Sequence, residues 1–229
     1  MKLAALFSGG KDSTYAIHLA KKLSHSVDVL LTLYPHSDDS HLLHHPNIKF
    51  TKLQSESMNI PQLIEEIPSV DTETEFKKLE NLIISAKENY SIEGIVHGGI
   101  LSNFQKDNFS SICKKHNLEI ISPLWNKNPE LYMQELLKEN FEYIISSVSC
   151  DGLDDSWLGQ TINKNRLENL EKLQTKFGFN LNFEGGEAET FVINCPLFKK
   201  SLFIQDSRTE WDGYRGRFEI LEMKLKDNA

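Results

Sequence analysis

The stretch Ser8-Gly9-Gly10-Lys11-Asp12-Ser13 packs the parts of a polyphosphate site into six residues. Its two glycines let the backbone approach a phosphate closely, with N–H groups turned inward. Lys11 can neutralise phosphate charge, and the hydroxyls of Ser8 and Ser13 can donate hydrogen bonds. Asp12 is out of place at a bare anion site, but a carboxylate there suits a magnesium ion that bridges phosphates. The spacing differs from the G-x-x-x-x-G-K-[ST] loop, so cleavage between β and γ phosphates does not follow. The plainer alternative is a strand-to-helix turn with a capping serine. A second stretch, Glu184-Gly185-Gly186-Glu187-Ala188-Glu189-Thr190, gathers three carboxylates around two glycines. If Glu189 begins a strand, Glu187 and Glu189 point to one face. Carboxylates so close repel unless a cation or a shared proton relieves them, which suits magnesium binding, ammonium capture or proton transfer. An ordinary solvated hairpin turn is the alternative.

These residues need elements to position them. Residues 2–7 read as a short buried strand leading into the loop. A helix over 13–23 follows, with Ala16, Leu19, Ala20 and Leu23 on one face. Residues 27–33, 92–97 and 118–122 read as further apolar strands. Phe76, Leu79, Leu82, Ile83, Ala86 and Tyr90 mark one helix, and Leu101, Phe104, Ile112 and Cys113 mark another. Gly98-Gly99 ends the strand at 92–97. Alternating strands and helices predict a mostly parallel sheet with helices on both faces. Its glycine loop then lies at the carboxyl end of the first strand, where open α/β sheets bind ligands. Residues 35–68 read as polar and irregular, except for a short helix near 61–67. A soft boundary near Pro123 separates a part of alternating strands and helices, residues 1–123, from a smaller α+β part, residues 124–229. The latter shows helices near 131–140 and 163–177, and strands at 143–148, 189–194, 202–206 and 218–225.

Composition narrows the class. The 229 residues carry a net charge of −8, which argues against a protein that coats nucleic acid. No stretch is long and apolar enough to span a membrane. Residues 1–7 run straight into the loop and are too short for a secretory signal. Cys113, Cys150 and Cys195 are widely spaced and form no disulfide framework, so buried apolar packing in a reducing cytoplasm is expected. No carboxylate or cysteine near His41, His44 and His45 completes a convincing metal set, so a solvated loop is expected there. Asp151, Asp154 and Asp155 either cap a helix or face a substrate. Trp125 and Trp157 are expected in the core rather than stacked on a ligand.

The loop SGGKDS after a strand resembles the pyrophosphatase-loop family of adenine nucleotide enzymes. That resemblance implies a Rossmann-like, adenine nucleotide alpha-hydrolase-like fold that binds ATP and releases pyrophosphate, often through an adenylated intermediate. Residues 184–198, EGGEAETFVINCPLF, closely resemble the signature of the diphthine-ammonia ligases. Other blocks fit the same family in order: SGGKDSTY at Ser8, HHPN at His44, HGGILSNFQ at His97, PLW at Pro123, GLDDSWLG at Gly152, LFKK at Leu197 and the Trp211-Asp212-Gly213 triplet. The resemblance implies an AMP-forming amide ligase acting on diphthine of translation elongation factor 2, with ATP, magnesium and free ammonium. It implies that Ser8 to Ser13 with Gly98 and Gly99 bind the nucleotide, that Asp12 meets the metal, and that Glu184, Glu187, Glu189 and Thr190 serve catalysis. Three positions depart from the family pattern: Phe183 stands for glycine, Ala188 for an aromatic residue and Asn108 for a basic one. A tRNA-modifying enzyme of the same superfamily and a non-catalytic nucleotide sensor are the alternatives. Stable nucleic-acid or membrane binding is not expected, and an oligomer is left open.

Overall fold

The computed structural model describes residues 1–35, 47–67 and 71–227. His41, His44 and His45 lie outside them. The chain divides into two compact units, one of Met1–Ser8, Asp12–His44 and Met58–Asn126, the other of Gly9–Lys11, His45–Ser57 and Lys127–Ala229.

The first unit holds five parallel strands in the order β3-β2-β1-β4-β5. They are β1 (Lys2–Leu6), β2 (Ser26–Pro35), β3 (Gln62–Ile67), β4 (Gly94–Val96) and β5 (Glu119–Ile121), joined through helices α1 (Lys11–Lys22), α2 (Thr51–Met58), α3 (Thr72–Tyr90) and α4 (Asn103–Lys115). Side chains alternate across the sheet. Ala4, Val29, Leu31, Leu33 and Ile95 on one face join Leu79, Leu82, Ile83 and Ala86 of α3 and Cys113 of α4 in one buried cluster. Leu3, Ala5 and Leu30 on the other face are buried as well. Parallel crossovers are right-handed, so the β1-α1-β2 unit, which steps the opposite way along the sheet, sets α1 on that second face. This is the doubly wound, Rossmann-like α/β arrangement that the strand–helix alternation predicts.

One expected element is corrected. Residues 61–67 do not form a helix; Gln62–Ile67 is the edge strand β3, paired along β2 from Leu30↔Gln62 to Pro35↔Ile67. Glu65 and Glu66 favour helix by propensity, but an edge strand with one solvated side accommodates them. Glu65 pairs there with Lys78 of α3.

The second unit holds the antiparallel sheet β7-β6-β9-β8. Its strands are β6 (Glu142–Val148), β7 (Ala188–Asn194), β8 (Lys200–Trp211) and β9 (Gly216–Asp227), with helices α5 (Pro129–Lys138) and α6 (Lys164–Phe177). Asn128 and Asn163 cap the two helices by accepting from the N–H groups of Leu131 and Arg166. Tyr143, Ile144 and Ile145 of β6 are all buried, so this inner strand is covered on both faces. Residues 155–157 form a single 3-10 turn, and Asp154 caps it by accepting from Ser156 N–H at 3.1 Å. Trp125 and Trp157 are half-buried, and the Lys106 ammonium sits 4.1 Å from the centre of the Trp125 ring.

Candidate functional site

The glycine loop leaves the carboxyl end of β1. Phe7 N–H donates to Leu31 O at 2.8 Å, and Thr32 Oγ1 donates to Phe7 O at 2.7 Å. Those bonds fix the strand end from which Ser8 departs. Ser8 N–H donates to Ser13 Oγ at 3.3 Å, and the two hydroxyl oxygens lie 3.2 Å apart. Within the same unit Gly98 closes directly on the start of α1. A Cβ at Gly98 would lie 2.5 Å from the carbonyl carbon of Asp12 and 2.7 Å from Ser13 N, so only glycine allows this approach. The turn after β4 is held by His97. Gly99 N–H donates to His97 Nδ1 at 3.1 Å, which leaves the ring proton on Nε2 to donate to Ser122 Oγ at 2.6 Å. Burial, and then the charge of Lys106, depress the His97 pKa to about 4, so the ring is neutral at pH 7. Ser8, Asp12, Ser13, Gly98 and Gly99 are thus brought together.

The middle of the loop belongs to the second unit. Gly9 has φ +81°, and a Cβ there would lie 2.4 Å from Gln54 Oε1 and 3.0 Å from Thr51 Cγ2. Both the conformation and the space exclude a side chain. Gly9 O accepts from Val192 N–H at 3.0 Å and from Gln54 Nε2 at 2.9 Å. Lys11 N–H, one of the orphan donors at the start of α1, donates to Thr190 Oγ1 at 3.1 Å. Lys11 is 2% exposed. Its ammonium donates to Asn182 O at 2.6 Å and lies 5.5 Å from the centre of the Phe183 ring and 5.9 Å from that of Tyr132. Gly9, Lys11 and Thr190 are therefore neighbours, although 179 positions separate Lys11 from Thr190.

The acidic turn is built around Glu187. Its Oε1 accepts from Asn180 N–H at 2.8 Å and from Asn180 Nδ2 at 2.6 Å, and its Oε2 accepts from Gly185 N–H at 2.8 Å. Glu187 O also accepts from Ser149 N–H at 2.8 Å. Phe183 takes φ +64°, a left-handed conformation unusual for a residue with a side chain. Glu189 stands in β7 opposite Ser147, and Glu184 and Glu189 are half-buried. Among the described residues no group of three His, Cys, Asp or Glu side chains could hold a metal ion. Magnesium usually takes only one or two protein carboxylates and completes its shell with phosphate oxygens and water. One carboxylate, Asp12 in the first turn of α1, is compatible with that habit.

Burial disfavours the thiolate form of all three cysteines. Burial raises the thiol pKa of Cys113 to about 11 and of Cys195 to about 12. Cys150 is half-buried rather than fully packed, and burial followed by the charges of Glu187 and Asp151 raises it to about 11.

Sequence reasoning overlooked Gln54, His97, Tyr132 and Asn182 as site residues. Gln54 is fully buried and ties Gly9 O to Val192 O, the latter at 2.7 Å. It sits in a stretch that reads as solvated polar loop. The one signal was Phe183, which the resemblance sets where glycine is expected, and its φ is +64°.

Fold and loop define the class: a doubly wound α/β protein with a glycine-rich, lysine-bearing loop at the end of its first strand, followed by an antiparallel sheet that carries an acidic turn. The diphthamide synthase N-terminal domain matches residues 1–120, and the diphthamide synthase C-terminal domain matches residues 128–225. The chain belongs to the diphthamide synthase family. It is 35% identical to a diphthine--ammonia ligase of Bos taurus over 90% of this chain and 84% of that one. With the Homo sapiens protein of the same name it shares 33% identity over the same fractions. Among solved structures, a predicted subunit of tRNA methyltransferase from Methanocaldococcus jannaschii DSM aligns with a TM-score of 0.41 at 17% identity, over 86% of this chain and 98% of that one. No helix among the described residues is long and apolar enough to cross a membrane.

Proposed function

We propose that this protein is an ATP-dependent ligase that converts diphthine on translation elongation factor 2 to diphthamide, using ammonium and releasing AMP and pyrophosphate. The observation that carries the reading is family membership along both parts of the chain, with the SGGKDS loop intact at the end of β1. The diphthine carboxylate oxygen attacks the α-phosphorus of ATP, the bond to the β-phosphate oxygen breaks, and pyrophosphate leaves. Ammonia then attacks the carbonyl carbon of the mixed anhydride. The bond to the AMP oxygen breaks, and a primary amide remains. In going from ammonium to amide, the nitrogen gives up two protons.

The protein's work in the first step is positioning and charge stabilisation. Backbone N–H groups of the loop other than those of Ser8 and Lys11, together with the Lys11 ammonium, hold the leaving pyrophosphate, with Ser8 and Ser13 as hydroxyl donors. Gly98 and Gly99 line the nucleotide. Asp12 would hold magnesium, which supplies positive charge to the phosphates when bound. Thr190 orients the loop through Lys11 N–H, and Glu184, Glu187 and Glu189 take up the protons released by the nitrogen. Residues 1–123 serve the nucleotide and residues 124–229 the modified side chain, in the cytoplasm where the factor works.

The test is intact-mass analysis of diphthine-bearing elongation factor 2 incubated with this protein, ATP, magnesium and ammonium. A carboxyl-to-amide mass change that needs ATP is the expected result. No change, with ATP binding measured separately, would overturn the substrate assignment.

A further inference from the structure

Lys11 does more than sit near the loop: its own ammonium occupies a cation site. Among its partners are a backbone carbonyl, Asn182 O at 2.6 Å, and two ring faces, Phe183 at 5.5 Å and Tyr132 at 5.9 Å. Aromatic faces attract a cation within about 6 Å of their centres, more strongly where water is excluded. Water is kept out here, since Lys11, Tyr132 and Phe183 are 2%, 0% and 5% exposed. A carbonyl and two ring faces suit an N–H cation. The terminal NH3⁺ of a lysine is, in size and donors, an ammonium ion with one N–H replaced by carbon. One residue, Lys11, thus belongs both to the phosphate loop and to a cage that fits the other small substrate.

We infer that the cage formed by Asn182 O, Phe183 and Tyr132 is the ammonium subsite of the amide-forming step, filled by the Lys11 side chain until nucleotide phosphates draw it away. This rests on the ligase reading above. It also orders the reaction: ATP binds first, Lys11 turns to its phosphates, and the vacated cage takes NH4⁺ from solution.

Lys11→Ala removes the resident cation. Ammonium chloride is expected to raise the melting temperature of that variant, and sodium or tetramethylammonium chloride at equal ionic strength is not. Adding Phe183→Leu should abolish the ammonium effect. Wild-type protein saturated with an ATP analogue that cannot be cleaved between the α and β phosphates gives the same readout without the Lys11 change. Ammonium should stabilise it there, and not without the analogue. In turnover, Phe183→Leu should raise the KM for ammonium about tenfold, between the values for exposed and desolvated cation–ring contacts, while the KM for ATP moves less than twofold. Ammonium acting no differently from sodium in both melting experiments would overturn the inference. So would a parallel rise in the KM for ATP, because the rings would then only position Lys11. If wild-type protein makes no amide, the ligase reading fails, and the melting experiments alone decide whether the cage takes ammonium.

Discussion

At the residue scale, Phe183 sets two effects against each other. Its φ of +64° is a conformation that costs a residue with a Cβ about 1–2 kcal/mol and glycine nothing. Its ring, stacked 6.5 Å from Phe179, is buried, and truncating a buried phenylalanine typically costs about 3–5 kcal/mol. Burial wins, so Phe183→Gly should destabilise the protein by roughly 2–3 kcal/mol even though glycine adopts this φ without strain. Urea denaturation of the two proteins measures this directly, and a variant as stable as wild type would show that the ring packs for little. The chemistry of the glycine loop was legible because its residue types speak for themselves when adjacent. The surroundings of Lys11 were not. Tyr132, Asn182 and Phe183 are far from it in sequence and look like ordinary core or turn residues until the fold gathers them. Glu187 shows the reverse. An acidic cluster invites a catalytic reading, yet its carboxylate accepts three N–H bonds from Asn180 and Gly185, so any proton it takes disturbs the turn it holds.

At the scale of elements, the strands and long helices of the parallel sheet could be read from periodicity, because covered strands are continuously apolar and amphipathic helices repeat every three to four residues. Two elements could not. The edge strand β3 carries Glu65 and Glu66, and α2 buries Thr51, Gln54 and Ser57 through hydrogen bonds instead of apolar contact. A pattern of hydrophobicity does not report a buried polar face. The turn after β4 makes a prediction of its own, since His97 joins it to Ser122 beyond β5 as a neutral ring. The folded pKa is about 4, against 6.5 for an unperturbed histidine. As pH falls below 6.5 the unfolded chain takes the proton first, so stability is lost between pH 6.5 and 4 and is fully present above that window. At 1.36 kcal/mol per unit the loss amounts to about 3 kcal/mol. His97→Gln keeps a donor for Ser122 but does not titrate. Urea midpoints at pH 7 and pH 4.5 should fall further for wild type than for this variant, and equal falls would remove His97 as the cause.

At the scale of the whole molecule, the matched family halves meet near residue 124, but the second compact unit does not begin there. It takes Gly9–Lys11 and His45–Ser57 from the first half of the chain. The borrowed pieces are bonded to the antiparallel sheet rather than merely laid on it. Asn47 Nδ2 donates to Phe218 O at 3.0 Å, and Ile220 N–H donates to Asn47 Oδ1 at 2.8 Å. Ser57 Oγ donates to Lys200 O at 2.5 Å, and Val192 N–H donates to Gly9 O at 3.0 Å. A fragment of residues 127–229 would lose all of these together with the buried contacts of Gln54 and Lys11. Each buried group left without its partner costs about 1–3 kcal/mol, and a domain's whole stability is only about 5–15 kcal/mol. The deficit consumes the reserve, so this fragment alone should show no cooperative thermal transition by circular dichroism. Mixing it with residues 1–126 should restore one. A sharp melt for residues 127–229 by themselves would mean that the sheet holds without the loop, and that Gly9 and Lys11 are guests on a surface already formed. The expected outcome makes the phosphate loop a structural member of the unit that carries the acidic turn, so a change at either end of the chain should register as instability at the other.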